Sequence, residues 1–111
     1  GHTIHRAARE HRRMLARQRL NISSPQGRFK EGASLITGTL CCTVEAFGKH
    51  ILYRFENGNT LHIHLGLFGR IQNNKLPLKE PRGAVRVRLV SNTHFVDING
   101  PTICQVLDHK E

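Results

Sequence analysis

Lys49 directly follows a glycine in the stretch Phe47-Gly48-Lys49-His50. A lysine tip reaching into a cleft is a mobile cation that can hold an anion or move protons; beside a glycine turn it can equally be an ordinary exposed lysine. His50, His62 and His64 form the other suggestive set. In a strand His62 and His64 share one face, so a metal pair joined by His50 is geometrically allowed. A third ligand and an acidic partner are not evident, and His62 has the alternative of simply packing. Cysteine chemistry is less promising. Cys41, Cys42 and Cys104 are odd in number and two are adjacent, which indicates no disulfide framework and fits a reducing cytoplasm. Three cysteines at this spacing cannot build a four-cysteine zinc site, so any zinc module lies outside this chain.

Charge narrows the partner. The 111 residues carry 17 Lys+Arg against 8 Asp+Glu, a net +9, which suggests a polyanion. A basic protein without a nucleic-acid role is the plainer alternative. A membrane surface has less support, for there is no amphipathic Trp/Phe/Leu face, no apolar run near the ~20 residues of a span, and no signal-peptide pattern. Arg6, Arg9, Arg12, Arg13, Arg17 and Arg19 crowd one segment, and Arg28, Arg54, Arg70, Arg86 and Arg88 are spread beyond it. Each is a candidate phosphate contact or part of a solvated face.

These residues need elements to position them. Ile4, Ala7, Ala8, Met14 and Leu15 recur at helical spacing and predict a helix over 2–20, with Thr3 as a candidate cap. Residues 21–29 read as a strand ending in a Ser-Ser-Pro-Gln-Gly turn, and 32–36 as one helical turn. From Gly38 the pattern is β: runs at 39–46, 51–55 and 61–65, with Asn57-Gly58 as a hairpin signal. Residues 72–83 read as a polar loop. Residues 86–90 alternate as a half-buried strand, with 95–98 as its partner, and 102–107 are apolar and ambiguous. The expected fold class is α+β, mainly β: an antiparallel β-sandwich or barrel of about six to eight strands with an N-terminal α-helix, in one domain over 1–111.

Five stretches then converge. Gly1-His2-Thr3-Ile4-His5-Arg6-Ala7-Ala8, Ser24-Pro25-Gln26-Gly27-Arg28-Phe29, Phe47-Gly48-Lys49-His50, His62-Ile63-His64-Leu65-Gly66-Leu67-Phe68-Gly69 and Asp97-Ile98-Asn99-Gly100-Pro101-Thr102 together resemble the Fpg/Nei family of base-excision DNA glycosylases. No one motif is specific, but five in order cover nearly the whole chain. The resemblance implies a β-sandwich with flanking helices, followed in the parent protein by a helix–two-turn–helix domain and usually a zinc finger. DNA would run through the cleft between the domains with the damaged nucleotide flipped out.

The chemistry implied is that of a bifunctional glycosylase/AP lyase. An amino-terminal proline attacks the sugar C1′ and forms an iminium, which acidifies the neighbouring C–H and permits strand cleavage by elimination. An adjacent glutamate handles protons. The family motif is Pro-Glu-Gly and this chain opens at the glycine. Two residues leave the Gly1 amine up to ~7 Å from the usual place, so the fragment alone is expected to be inactive. Lys49 matches the hairpin lysine that enters the active site and contacts a phosphate beside the lesion. His64 matches a histidine that holds the DNA backbone. Leu67 falls where the family places a methionine that fills the void left by the flipped base; a plain core leucine is its alternative. Phe68 assists that wedge or packs inward. Arg70 and Arg28 are candidate DNA contacts, with Arg70 favoured because it follows the wedge loop.

One departure matters. The formamidopyrimidine-type branch carries Asp-Pro-Arg-Arg-Phe-Gly in a later loop, where this chain has Asn99-Gly100-Pro101. That argues for the Nei-like branch, which mostly favours oxidised pyrimidines. The expected partner is double-stranded DNA with damaged bases or abasic sites. The protein is expected to be a monomer in the bacterial cytoplasm, at the nucleoid, with no cofactor in this domain and zinc in the remainder of the parent. The competing reading is a non-catalytic nucleic-acid-binding β domain. Such surfaces usually carry exposed aromatics for stacking, and most of the five Phe and one Tyr here sit at apolar strand positions.

Overall fold

The computed structural model describes residues 2–108. Helix α1 (His2–Leu15) leads into β1 (Gln18–Arg19), β2 (Asn21–Ser23) and a second helix, α2 (Lys30–Ile36). Seven strands follow: β3 (Leu40–Phe47), β4 (His50–Phe55), β5 (Asn59–His64), β6 (Arg70–Lys75), β7 (Val85–Val90), β8 (His94–Asn99) and β9 (Ile103–Asp108). They form two antiparallel sheets, ordered β1-β3-β4-β5-β9 and β2-β7-β8-β6. The expected sandwich with an N-terminal helix is therefore present, with nine strands among the described residues.

The inner faces alternate as a half-buried sheet requires. Val44, Ile51, Tyr53, Leu61 and Ile63 from the first sheet share a core with Val87, Leu89, Val96 and Ile98 from the second. Ile4, Ala7, Ala8, Met14 and Leu15 of α1 are buried in the same core, as their spacing predicts.

Four boundaries differ from expectation. The helix stops at Leu15, not residue 20, because Arg17 adopts a left-handed conformation (φ 65°) that breaks the ladder. Its N–H is taken by Cys41 O at 2.6 Å, and Gln18 Nε2 caps Met14 O at 2.8 Å. Thr3 lies inside α1, which has already begun at His2, so it is not the cap. The strand foreseen over 21–29 ends at Ser23. Ser24 Oγ then accepts from the N–H groups of Gly27 and Phe29 and donates to Arg86 O, which fixes the turn against β7. The polar stretch from residue 72 is partly strand. β6 pairs with β8 at the sheet edge, and the exposed Gln72, Asn73, Asn74 and Lys75 read as loop because burial did not select their types. The ambiguous 102–107 segment is the edge strand β9, paired with β5.

Arg88 is a correction. Neither a phosphate contact nor a solvated side chain, it is buried, with Nε and Nη2 donating to Asp97 Oδ1 and Oδ2 at 2.7 and 2.9 Å. The guanidinium lies 5.0 Å from the centre of the Phe95 ring. The hydrogen-bonded Asp97 holds its pKa above the usual arginine value.

Candidate nucleic-acid interface

The β3–β4 turn requires a left-handed residue, supplied by Gly48 (φ 58°), and that turn carries the exposed Lys49. His64 ends β5. The chain then makes the tight Leu65–Gly69 loop, in which two glycines are sterically required. A Cβ on Gly66 would strike the Thr102 hydroxyl, and one on Gly69 would strike the Leu65 carbonyl. The loop is tied down again where Thr102 N–H donates to His64 O at 2.7 Å. So anchored, it holds Leu67 and Phe68 in solvent at 88% and 84% exposure, the two most exposed large apolar side chains among the described residues. Inward packing is thereby ruled out for both.

Lys49, His64, Leu65, Gly66, Leu67 and Gly69 meet Thr3 and Ile4 of α1 around one cleft of about 520 Å³. The fold thus gathers three of the sequence-nominated residues, Lys49, His64 and Leu67, at the start of the first helix. Phe68 projects beside them without lining the cleft. Arg70 is exposed at the start of β6, opposite Asn99, and is not part of the lining. Arg28 stands apart, in a separate groove with Lys30, Leu35 and Gln105. Arg54 pairs with Glu45, and Arg86 Nε donates to Gln26 Oε1 at 2.9 Å.

Two features escaped the sequence reading. Phe47 is 56% exposed at the end of β3 and lines a basic groove with His5, Arg9 and Arg12 of α1. An apolar residue at a strand end gives no sign of which way it points. His11 is fully buried, its Nδ1 accepting from Tyr53 O–H at 2.7 Å and its Nε2–H donating to Asn73 Oδ1 at 2.8 Å. Asn73 Nδ2 continues to Glu10 Oε2 at 3.1 Å. Burial lowers the His11 pKa, and the ring is a neutral strut between α1 and both sheets. Its place at helical spacing from Ala7, Ala8 and Met14 was the available signal.

The histidines do not form a metal centre. His50 and His62 spend a nitrogen each on one another, His50 Nδ1 to His62 Nε2 at 2.8 Å, and His62 Nδ1 is met by Gln105 Nε2 at 3.0 Å. Among the described residues no group of three His, Cys, Asp or Glu is arranged to hold a metal ion. Burial pushes the Cys41 and Cys104 thiols up to about 12, which leaves neither as a thiolate at neutral pH. No helix among the described residues is long and apolar enough to cross a membrane.

A β-sandwich with a leading helix is the fold of repair-glycosylase amino-terminal domains. Residues 1–102 match the family described as "Formamidopyrimidine-DNA glycosylase N-terminal domain", and the chain belongs to it. It is 41% identical over 115 residues to proteins named "Endonuclease 8 1" from Mycobacterium tuberculosis and Mycobacterium bovis. Those matches cover 100% of this chain and 43% of each relative, so the chain spans less than half their length. Among solved structures it is similar to Lactococcus lactis formamidopyrimidine-DNA glycosylase non-covalently bound to DNA containing an AP site. The TM-score is 0.80 at 13% identity, covering 96% of this chain and 44% of that one. MutM in complex with DNA containing carbocyclic 8-oxo-G gives 0.78 at 14% identity, covering 94% and 43%. At such identities the likeness is one of fold.

Proposed function

We propose that this chain is the amino-terminal, lesion-facing part of a bifunctional DNA glycosylase/AP lyase of the Nei-like branch, acting on oxidised bases, above all pyrimidines. The observation that carries the reading is the convergence of Lys49, His64 and Leu67 on one cleft at the start of α1. Lys49 supplies a mobile cation to the phosphate beside the lesion. His64 donates to the backbone. Leu67, held out in water by its glycine-bounded loop, enters the stack as the damaged nucleotide leaves, and Phe68 widens the wedge. Arg70 and Arg28 add phosphate contacts farther along the duplex. The nucleophile is the amine of the terminal proline in the parent protein's Pro-Glu-Gly motif. That amine displaces the base, which leaves protonated, at C1′. The C1′–O4′ bond then opens with a proton to O4′ to give the iminium, and the iminium acidifies the C2′–H so that the 3′-phosphate is eliminated. A helix–two-turn–helix domain and a zinc finger in the remainder of the parent complete the DNA cleft. The enzyme works as a monomer in the bacterial cytoplasm, at the nucleoid.

Single-turnover excision by the intact protein tests this on duplexes carrying an oxidised pyrimidine, an oxidised purine or no lesion. The oxidised pyrimidine is cut fastest. Lys49→Ala slows excision about 100-fold, and Leu67→Ala, at an exposed site, slows it on the order of tenfold without lowering Tm. Equal rates on damaged and undamaged DNA, or full activity in both variants, would remove the proposal. The non-catalytic binding reading has the exposed Phe47 and Phe68 in its favour. It predicts retained affinity for damaged DNA with no excision.

A further inference from the structure

The histidine cluster is left unused by the roles above, apart from His64. Antiparallel register sets His50 directly across from His64, and their rings stack 4.5 Å apart at 24°. His62 sits diagonally, its ring 4.9 Å from that of His50. The hydrogen bonds among them have only one consistent direction. An amide nitrogen carries protons and no acceptor, so Gln105 Nε2 must donate to His62 Nδ1. A neutral His62 then bears its proton on Nε2 and donates it to His50 Nδ1. His50 in turn carries its own proton on Nε2, the nitrogen not engaged with His62. Burial, followed by the neighbouring His50 and His64, lowers the His62 pKa and keeps the middle of this relay neutral.

Among the described residues, no acid is a strand partner of His62 or His64. The strand partners of His62 are Leu52 and Gln105, and those of His64 are His50 and Ile103. The nearest charge along the chain is the Lys49 cation on the same hairpin. Two stacked imidazoles beside a lysine, with a relay that fixes one of them as a donor, match an external anion bearing two acceptor oxygens. His64 lines the cleft at Lys49, so such an anion would sit on the DNA path proposed above.

We propose that His50 and His64 together grip one phosphodiester of the lesion strand, next to the phosphate taken by Lys49, and that His62 and Gln105 are positioning residues that hold the His50 donor outward. This rests on the DNA-repair reading above. The test uses the intact protein and duplexes carrying a tetrahydrofuran abasic-site analogue, with single phosphates near it replaced one at a time by uncharged methylphosphonate. Affinity is read by fluorescence anisotropy. Wild type loses about tenfold at the gripped phosphate. His50→Phe keeps a stacking ring but no donor. It loses a similar factor on ordinary DNA and nothing further when that one phosphate is neutralised. His62→Phe, which leaves His50 in place and does not touch DNA, produces the same loss of coupling, so the proposal does not hang on one variant folding. An unchanged affinity in His50→Phe, or losses that simply multiply at every methylphosphonate position, overturns it. If one phosphate couples to Lys49 but none to His50, this inference alone fails. If the wild type does not distinguish the abasic duplex from intact DNA at all, the repair reading fails with it.

Discussion

Asp97 and Arg88 face one another across β7 and β8, both almost entirely out of water. A buried pair of this kind adds little over a well-packed apolar pair, but half of it is costly to keep. Asp97→Ala strands a guanidinium and is expected to lower unfolding free energy by about 3–5 kcal/mol, whereas Arg88→Met with Asp97→Leu recovers most of that loss. Urea denaturation of the single and double variants measures both. Individual residues were the least legible part of the sequence. Arg86 and Arg88 alternate with apolar neighbours in identical fashion, yet one reaches a surface glutamine and the other an interior aspartate. What separates them is a cross-strand partner and the covering ring of Phe95, and neither is adjacent in the chain. Leu67 shows the opposite case. A plain core leucine is its alternative reading from sequence, and the Leu65–Gly69 loop holds it in solvent instead.

At the scale of elements, α1 is held to both sheets by more than apolar contact. His11 reaches Tyr53 on β4 and Asn73 on β6, so one imidazole fixes the helix whose start borders the cleft. Its pKa is depressed below the ordinary 6.5 by burial, so the unfolded chain binds this proton more readily than the folded one. Stability from this group is therefore complete above that ordinary value. It declines as pH falls below it toward the depressed folded pKa. The urea midpoint of wild type is expected to drop between about pH 7.5 and about pH 5.5, and to drop less in His11→Gln. The shift at His62 has the same sign, and a matched His62→Gln variant separates the two. Element types were largely readable. Periodicity found α1, and the Asn57-Gly58 turn found the β4–β5 hairpin. The failures lie at edges. β6 and β9 border their sheets, where one side of the strand has no neighbour and selection on residue type is weak.

Over the whole molecule, the first sheet brings the β3–β4 turn, together with the end of β5 and the loop that follows it, to the start of the first helix. The candidate site follows from that topology. Lys49 and His64 are fifteen positions apart yet line one cleft with Thr3 and Ile4. The chain carries a net charge of +9, suited to a polyanion drawn in from a distance. The family motifs announced this gathering in order along the sequence, while the distances and the role of His11 came only from packing. The central proposal is that the intact protein presents the amine of its terminal proline to a deoxyribose at this cleft. Borohydride trapping tests it most directly, using the intact protein, from its natural terminus, on duplex DNA with one abasic site. The account predicts a covalent protein–DNA adduct that disappears when the terminal amine is blocked and weakens in Lys49→Ala. Binding of that duplex with no adduct under any condition would contradict the account and leave a damage-binding protein without imine chemistry.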